Sequence, residues 1–382
     1  MKNDKKYGFI DLFCGCGGLS LGLENAGFST QFASDIDSNC ANTYIKNFGI
    51  DESKMYVGDI RELNKNEGEL IDTFKGIELV CGGPPCQGFS MANRQRVIDD
   101  PRNVLYKEYL LLLKRVEPKF FIIENVKGML NKIDEILEDI KNYLDSKYDV
   151  AYSVFNVKDY GVPQSRERII ILGNRIGIKS SNIINAIKDR AKTIKTHTLF
   201  DAIGNLPELK PNRIKNNSSL ENDDIGYVCR DYDYVKDEYY IYLNGNRNIT
   251  KLYNHKNRYN NDRDIEIFTR LPQGCNSLHE SISDIMPYKN RNDIFKDKYY
   301  KLEYNKVCRT ITSHMMYDCN MYIHPTQSRG LSPREAARIQ TFPDDFILYG
   351  PQNKWYKQVG NAVPVKFAQV IGEEIIKYLW NI

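Results

Sequence analysis

The chain has 382 residues, of which 41% are hydrophobic and 27% charged, so it can bury one large core or two domains and is not typical of a disordered protein. No stretch reaches the ~18 uninterrupted apolar residues of a membrane helix, and no apolar segment of a signal peptide follows the charged N-terminus. The 9 cysteines have no C-x-x-C spacing, which argues against a disulfide scaffold or a zinc site. We therefore expect an unsecreted protein of a reducing cytosol, without a metal, and a net charge of +3 leaves its partner open.

The first half of the chain alternates short apolar runs with amphipathic segments, which is typical of strands joined by crossover helices in a parallel sheet. The apolar runs predict strands at residues 8–13, 32–35, 79–81, 120–124, 152–155 and 169–173. The amphipathic segments predict helices at residues 19–26, 38–47, 104–115 and 131–146. The sequence thus predicts a doubly wound α/β domain.

Beyond about residue 190 the composition shifts to Asn, Tyr and charged residues, and neither periodicity is sustained until Ser332. This stretch predicts a separate, smaller, loop-rich domain, with a helix over 263–270 capped by Asp262. Ser332 before Pro333 and Glu335 predicts a helix that runs to about Gln340, and a last helix follows from about residue 365 to 379.

A glycine-rich turn, Cys14-Gly15-Cys16-Gly17-Gly18, connects the first predicted strand to the first helix. Its glycines let a ligand approach the backbone, and the N–H groups of the helix can receive an anion. Asp35 ends the second predicted strand, where an acid in this fold accepts hydrogen bonds from a ribose diol. These features together predict a nucleoside-cofactor site, which suits a dinucleotide or S-adenosylmethionine equally, whereas the turn alone could be purely structural.

Cys86 follows Pro84-Pro85 at the carboxyl end of a predicted strand, where α/β sheets bind their ligands. It is a candidate nucleophile if neighbouring cations or helix N-termini favour its thiolate, and the long loop after it would be a lid. The alternative is a small buried residue in a loop stiffened by proline.

Further candidates end the next strand and begin the last one. Glu124 could act as a general acid at the same edge of the sheet, or it could be a helix cap or a solvated surface group. Alternation places Gln164, Arg166 and Arg168 on one face, where the two guanidinium groups could hold a phosphate or a polarised carbonyl. Salt bridges, with Glu167 among the candidates, are the alternative.

Taken in order, these segments resemble the cytosine-C5 DNA methyltransferase family of bacterial restriction-modification systems, and the resemblance covers nearly the whole chain apart from about residues 190–300. The segments that carry it are residues 11–18, 58–60, 83–90, 124–126, 164–168, 331–340 and 358–364. Cys14 and Cys16 depart from the small or apolar residues usual in the turn, and we interpret them as small buried side chains, with a redox role as the alternative.

The resemblance implies a Rossmann-like, S-adenosylmethionine-dependent catalytic domain over residues 1–188 and 350–382, and a target-recognition domain with a hinge over residues 189–349. Phe13 would lie against the adenine, Asp35 on the ribose, Asp59 near the adenine amino group and Asn361 at the amino-acid end. The complete set of implied cofactor residues is Phe13, Gly15, Gly17, Gly18, Asp35, Ile36, Asp59, Ile60, Pro85, Asn361 and Ala362.

The resemblance also implies the chemistry. Cys86 would add to C6 of a cytosine flipped out of the duplex, Glu124 would donate a proton at N3, Arg168 would stabilise charge at O2, and Arg166 would orient the base or Glu124. The implied DNA contacts are Ser90, Arg102, Gln164, Arg258, Arg263 and Arg309.

The expected partner is double-stranded DNA, with a cognate restriction endonuclease as a functional partner, and we expect a cytoplasmic monomer.

Three alternatives to this function remain at this point. A tRNA cytosine-5 methyltransferase would typically carry a Cys-Phe-Thr element, which the chain lacks. An inactive DNA-binding homologue would lack Cys86, Glu124 or Arg168. A nicotinamide oxidoreductase would not need the Pro-Pro-Cys loop.

Overall fold

The structure is a computed structural model that describes residues 7–66, 68–85, 105–215, 219–287 and 298–380. The chain divides into two units: Met1–Gly161 with Arg166–Lys195 and Val363–Ile382, and Val162–Ser165 with Thr196–Ala362. The division therefore lies at 195/196 and 362/363, later than the predicted 188/189 and 349/350.

A mixed β-sheet is the centre of the first unit. Its strands in the described residues are β1 (Tyr7–Leu12), β2 (Phe28–Asp35), β3 (Met55–Val57), β4 (Leu79–Gly82), β5 (Phe120–Val126), β6 (Asp149–Asn156) and β7 (Glu167–Asn174), in the order β3-β2-β1-β4-β5-β7-β6. Strands β1 to β5 are parallel, but β7 is antiparallel to both β5 and β6. The predicted doubly wound α/β class is confirmed. The expected parallel sheet is interrupted at β7, which follows β6 through residues 157–166 and lies antiparallel between β5 and β6.

Helices flank this sheet. They are α1 (Gly18–Ala26), α2 (Ser38–Phe48), α3 (Ile60–Asn66), α4 (Gly68–Asp72), α5 (Leu105–Val116), α6 (Ile133–Tyr143), α7 (Ser180–Arg190) and a C-terminal helix (Val365–Leu379). Alternate strand residues such as Leu12 and Ile123 share an apolar core with Leu110 and Leu113 of α5. Helix α1 packs closely on the C-terminal helix, since a Cβ on Gly22 would lie 2.4 Å from that of Ala368. None of the described helices is long and apolar enough to cross a bilayer.

The predicted elements of this unit differ from the structure mainly at their ends. Strand β2 begins at Phe28, before the predicted start, and β3 is only three residues long, too short for a pattern to reveal it. A 3-10 helix over Lys127–Lys132 precedes α6, so the predicted long helix is α-helical only from Ile133.

The second unit contains more secondary structure than its sequence predicts. It has a two-stranded antiparallel sheet of β8 (Gly226–Asp231) and β9 (Lys251–Lys256) and the helices α8 (Leu199–Ile203), α9 (Glu238–Asn244), α10 (Asp262–Arg270), α11 (Pro333–Ile339) and α12 (Gln352–Asn361). Helix α10 matches the predicted 263–270 helix, but its cap is Asn261, whose Oδ1 accepts from the Asp264 N–H at 2.8 Å. Asp262 is the first helical residue instead.

Helix α12 belongs to this unit because its last turn fits closely there. A Cβ on Gly360 would lie 2.2 Å from the carbonyl carbon of Thr312, and Gln340 donates through Nε2 to the carbonyl of Val359 at 2.8 Å. These contacts explain why residues 350–362 belong to the second unit, whereas the sequence analysis placed them in the catalytic domain.

Helix α11 is surrounded by buried ion pairs. Ser332 and Glu335 form a capping box at its predicted start, and Arg329 donates to both oxygens of Glu335 at 2.8 and 2.7 Å. Arg338 donates to both oxygens of Asp344, each at 2.7 Å, with neither side chain exposed. The arginines of this helix, which read as surface residues, are therefore part of the interior of the unit.

Asp344→Asn is expected to destabilise the second unit by about 3 kcal/mol, because it leaves the Arg338 guanidinium buried without its counter-charge. The ion pair with Arg338 outweighs the effect of burial and lowers the pKa of Asp344. The stabilisation from this pair is therefore present near neutral pH and is lost as the pH falls below the pKa of an ordinary carboxyl group. Asp345→Asn is the control, since its pair with Arg247 is 40–43% exposed and is worth less than about 1 kcal/mol. Urea unfolding of both variants measures the difference, and equal losses would contradict the assignment.

Candidate active site

The carboxyl edge of the sheet gathers the polar side chains of the first unit. Parallel strands β1 to β5 end at this edge, and β7 begins there because it runs in the opposite direction. The edge therefore presents the glycine turn after β1, Asp35 at the end of β2, Gly83 after β4, Glu124 in β5 and Arg168 in β7.

Main-chain N–H groups of the glycine turn donate hydrogen bonds to β2. Phe13, Gly15 and Gly17 all have positive φ, at 58°, 57° and 93°. The Gly15 N–H donates to Oδ2 of Asp35 at 2.8 Å, and the Cys14 N–H donates to the carbonyl of Ser34 at 3.0 Å. Gly17 caps α1 with no side-chain hydrogen bond, so the first N–H groups of the helix can meet an anion or a polar ligand.

Gly17→Ala is expected to destabilise the first unit by about 3 kcal/mol or more and to weaken cofactor binding. A Cβ there would lie 2.4 Å from Cε2 of Phe48, and the residue is in a left-handed conformation. Gly15→Ala is the matched comparison, because its φ is also positive but no atom lies within 4 Å of the added Cβ, and it should lose only about 1 kcal/mol. Thermal unfolding of both variants tests this, and a larger loss for Gly15→Ala would contradict it.

Asp35 is a rigidly placed carboxylate. Besides the bond from Gly15, its Oδ1 accepts from the Asp37 N–H at 2.8 Å, which ties it to the start of α2. Each carboxylate oxygen can accept more than one hydrogen bond, so this acid can also take a ribose hydroxyl. The next residue, Ile36, is 72% exposed and offers an apolar surface beside it that suits an adenine ring.

The structure refines the expectations for Asp59 and Ile60. Asp59 precedes α3 and pairs with Arg61, whose hydrogen bond lowers the pKa of Asp59. The Ile60 side chain is only 5% exposed and packs in the core, so its contribution to a ligand would be its main-chain N–H, the first of a helix.

The loop after β4 is joined to β5 at Pro84. Asn125 donates through Nδ2 to the carbonyl of Pro84 at 2.7 Å, and Pro85 is half-buried. Cys86 itself, with Ser90 and Arg102, lies outside the described residues.

Glu124 and Arg168 form an ion pair at this edge. Arg168 donates through Nε to Oε1 of Glu124 at 2.9 Å, and the side chains are 14% and 11% exposed. Burial lowers the pKa of Arg168, and the Glu124 carboxylate opposes that shift. Gly83 leaves room for the acid, since a Cβ there would lie 3.1 Å from its Oε2. The antiparallel register explains the pair, because Glu124 faces Ile170 and Arg168 faces Val126, which places the two side chains diagonally on one face.

Arg166 and Glu167 behave differently from Arg168. Arg166 is 2% exposed, and its main-chain N–H donates to Oδ1 of Asn156 at 3.1 Å. Glu167 points outwards and pairs with Lys127 at 3.0 Å. The salt bridge considered for Glu167 is therefore formed with Lys127.

Two of the expected DNA contacts are corrected by the geometry of the second unit. Gln164 is fully buried, where it donates to Oε1 of Gln340 at 2.9 Å and accepts from the Ile311 N–H at 2.7 Å. Both ends of its amide thus have partners within the second unit. Arg258 likewise donates to the carbonyls of Met315 and Tyr317, at 2.8 and 2.6 Å. Its guanidinium therefore connects two segments within the second unit.

The other expected residues of this unit stay predictions. Arg263 is exposed on α10, and the Arg309 guanidinium lies 4.8 Å from the ring centre of Tyr300. Asn361 is exposed at the end of α12, while Ala362 is buried and its carbonyl accepts from Gln340 Nε2 at 3.2 Å.

Two further groups lie beside the glycine turn. Cys14 and Cys16 are 7% and 1% exposed, which confirms that they are small buried side chains. Asp11, which the sequence analysis did not single out, is 1% exposed, and an acid within an apolar strand is the signal that would have identified it. Within the described ranges no three His, Cys, Asp or Glu residues are grouped so as to hold a metal ion.

Comparisons with known proteins identify the family. The family model of C-5 cytosine-specific DNA methylases matches residues 7–377. The chain is 33% identical to type II methyltransferase M.MthTI of Methanothermobacter thermautotrophicus, covering 96% of both chains. It is 31% identical to M.DdeI of Desulfomicrobium norvegicum, covering 98% of this chain and 89% of the relative.

Solved structures agree with this match. A prophage-encoded protein of E. coli, assigned as a DNA modification methyltransferase, superposes with a TM-score of 0.75 and 27% identity over 99% of this chain and all of that one. The Dnmt2 methyltransferase of S. pombe, at 16% identity and a TM-score of 0.57 over 98% of this chain and 99% of its own, shows the fold alone. The chain therefore belongs to the C-5 cytosine-specific DNA methylase family, and it is a DNA cytosine-5 methyltransferase that depends on S-adenosylmethionine.

Proposed function

We propose that the enzyme methylates C5 of a cytosine flipped out of double-stranded DNA, within one short recognition sequence, through a covalent bond between Cys86 and C6 of the base. The Glu124–Arg168 ion pair at the carboxyl edge of the sheet carries this proposal. The pair supplies an acid and a cation next to the loop after β4. Pro84 and Pro85 of this loop directly precede Cys86.

The chemistry follows from the electronic structure of cytosine, whose C5 is a poor nucleophile until a group adds at C6. Addition of the Cys86 thiolate pushes electrons towards N3 and O2. Glu124, as the general acid, donates a proton to N3, while Arg168 stabilises the charge at O2. C5 would then take the methyl group that S-adenosylmethionine supplies, with S-adenosylhomocysteine as the leaving group. Loss of the C5 proton to water or another base then expels the thiolate, and N3 returns its proton to Glu124. Arg166, buried just before β7, orients this acid or the base.

The glycine turn fits the adenosyl cofactor. Gly15 and Gly17 give the turn a left-handed backbone at the start of α1, Asp35 is fixed for the ribose, and Ile36 is exposed for the adenine. S-Adenosylmethionine supplies an electrophilic methyl group when bound. Phe13, Asp59, Ile60 and Pro85 complete the proposed site in the first unit. Asn361 and Ala362 stay predictions of the family resemblance.

The first unit is then the catalytic domain and the second unit the target-recognition domain. Arg263 and Arg309 are its proposed DNA contacts, with Ser90 and Arg102 of the loop after Cys86 on the flipped nucleotide or its phosphates. A monomer in the bacterial cytosol, bound to the nucleoid through DNA, is the expected state. The type II relatives suggest a cognate restriction endonuclease that recognises the same sequence.

Conversion sequencing of plasmid DNA tests the DNA reaction. DNA from cells that express the enzyme should contain protected cytosines in one short motif, and DNA from cells with an empty vector should contain none. Small RNA from the same cells is converted in parallel as the control for the tRNA alternative. Protection confined to a tRNA cytosine, with unprotected plasmid, would overturn the proposed substrate.

A further inference from the structure

A chain of hydrogen bonds runs from the strand before the glycine turn to the surface of the first unit. Ser20 donates through Oγ to Oδ2 of Asp11 at 2.5 Å, and the Tyr44 hydroxyl donates to Oγ of Ser20 at 2.6 Å. Tyr44 meets Oγ1 of Thr30 at 3.4 Å, and Thr30 donates to Oε1 of Glu24 at 2.8 Å. Three hydroxyl groups thus connect two carboxyl groups by four contacts.

The number of protons in this chain is the unusual feature. Each hydroxyl has one proton to donate, so three protons serve four contacts when both carboxyl groups are ionised. One contact then joins two acceptors, and the contact between Tyr44 and Thr30 is the longest of the four. A proton on one carboxyl group would complete the chain, because every hydroxyl could then both donate and accept.

Asp11 is the carboxyl group suited to hold that proton. It is 1% exposed, whereas Glu24 lines an open surface cavity of about 480 Å³ and remains in contact with water. Burial raises the pKa of Asp11 to about 7, with Asp35 adding to the rise and the hydrogen bonds from Ser20 and Cys81 opposing it. The titratable and hydroxyl groups around it are Ser20 of α1, Cys81 of β4, Asp35 of β2, Tyr44 of α2, Tyr109 of α5 and Cys14 of the turn.

The same chain supports the glycine turn on both sides. Asp11 lies in β1 just before Phe13, Ser20 lies in the first turn of α1, and the ring of Tyr44 lies under Gly17, 2.9 Å from the position of an added Cβ. A change in the protonation of Asp11 therefore alters the strand, the helix and the ring that define the cofactor cradle.

We propose that Asp11 is kept as a neutral carboxylic acid and that Asp11, Ser20 and Tyr44 are positioning residues for the cofactor turn, so that the affinity for the cofactor depends on the Asp11 proton. The inference rests on the proposed placement of S-adenosylmethionine at that turn. It assigns no contact between Asp11 and the cofactor.

The direction of the pH dependence follows from the raised pKa. The folded protein holds the Asp11 proton to a higher pH than the unfolded chain, so stability from this group is lost as the pH rises from about 4 towards 7. If the cofactor binds the protonated form, its affinity falls by up to about tenfold per pH unit above the pKa.

Calorimetric titration of the full-length enzyme with S-adenosylmethionine from pH 6 to 8.5 tests the proposal. The side chain in Asp11→Asn stays neutral at every pH and keeps an oxygen that accepts from Ser20. Its affinity should therefore match that of the wild type at pH 6 and lack the wild type's added fall of up to about 30-fold by pH 8.5. The amino group of the cofactor also titrates near pH 8, but it contributes equally to both proteins. Asp51→Asn is the matched control, because Asp51 is an exposed cap of residues 52–54, and it should keep the wild-type profile.

Parallel pH profiles for the wild type and Asp11→Asn would overturn the inference and leave the cofactor site standing. Absence of binding to the wild type at every pH would count against the site itself. If Asp11→Asn fails to fold, Ser20→Ala provides the test. Ser20 lowers the pKa of Asp11, so its removal should move the midpoint of the affinity fall to higher pH, and an unmoved midpoint would overturn the inference.

Discussion

Cys86→Ser is expected to lower the rate of DNA methylation by about 10⁴-fold or more, with the affinity for S-adenosylmethionine unchanged. A serine hydroxyl is far less nucleophilic than a thiolate and cannot add to C6 without a strong base. Single-turnover assays with tritiated cofactor and a duplex that contains the recognition sequence measure this loss. Cys229→Ser is the control, because Cys229 is an exposed thiol of the second unit and should leave the rate unchanged.

A duplex with 5-fluorocytosine at the target position examines the covalent step directly. Fluorine at C5 cannot leave as a proton, so the wild-type enzyme and Cys229→Ser should remain attached to DNA after denaturation. Cys86→Ser should form no such complex. A stable complex with Cys86→Ser would show that another group is the nucleophile, and a Cys86→Ser rate within tenfold of the wild type would rule out covalent catalysis by this residue.

Glu124→Gln is expected to lower kcat by about 10²–10⁴-fold, since glutamine can hydrogen-bond to the base but cannot transfer a proton to N3. The substitution also removes the counter-charge of Arg168, so a loss of stability of about 1–3 kcal/mol is expected. Glu167→Gln is the matched control on the neighbouring strand. Its partner is Lys127, both side chains are about half exposed, and neither kcat nor stability should change appreciably.

Two measurements separate lost catalysis from lost structure in Glu124→Gln. Urea unfolding gives the change in stability, and calorimetric titration gives the affinity for S-adenosylmethionine, which should stay near that of the wild type. A kcat within threefold of the wild type, from folded protein that binds the cofactor, would remove Glu124 from the proton-transfer role.

Local signals in the sequence predicted much of the first unit. A glycine turn after an apolar strand has few structural meanings, because the positive φ of Gly15 and Gly17 is a conformation that favours glycine. An acid at the end of the next strand must then lie at the same edge, and the structure places Asp35 within hydrogen-bonding distance of Gly15. The capping box at Ser332 and Glu335 was equally readable, since it involves contacts over only three residues.

The sequence did not reveal contacts that depend on strand order. The reversal of β7 brings Arg168 beside Glu124, and no periodicity within either strand encodes that direction. The second unit shows the same difficulty, because Gln164, Arg258 and Arg338 have the composition of surface residues. Each has polar atoms that are satisfied by partners far away in the chain, so burial costs them little.

The sequence by itself determined the fold class, the edge of the sheet that holds the site and the family. Its motifs are short, and their geometry is local. The tertiary structure alone decided which charges meet, which basic residues are internal braces and that Asp11 lies in a buried chain of hydroxyls. The physical reason is that hydrogen bonds and ion pairs are made in three dimensions between distant segments, whereas a sequence pattern records only the propensities of neighbours.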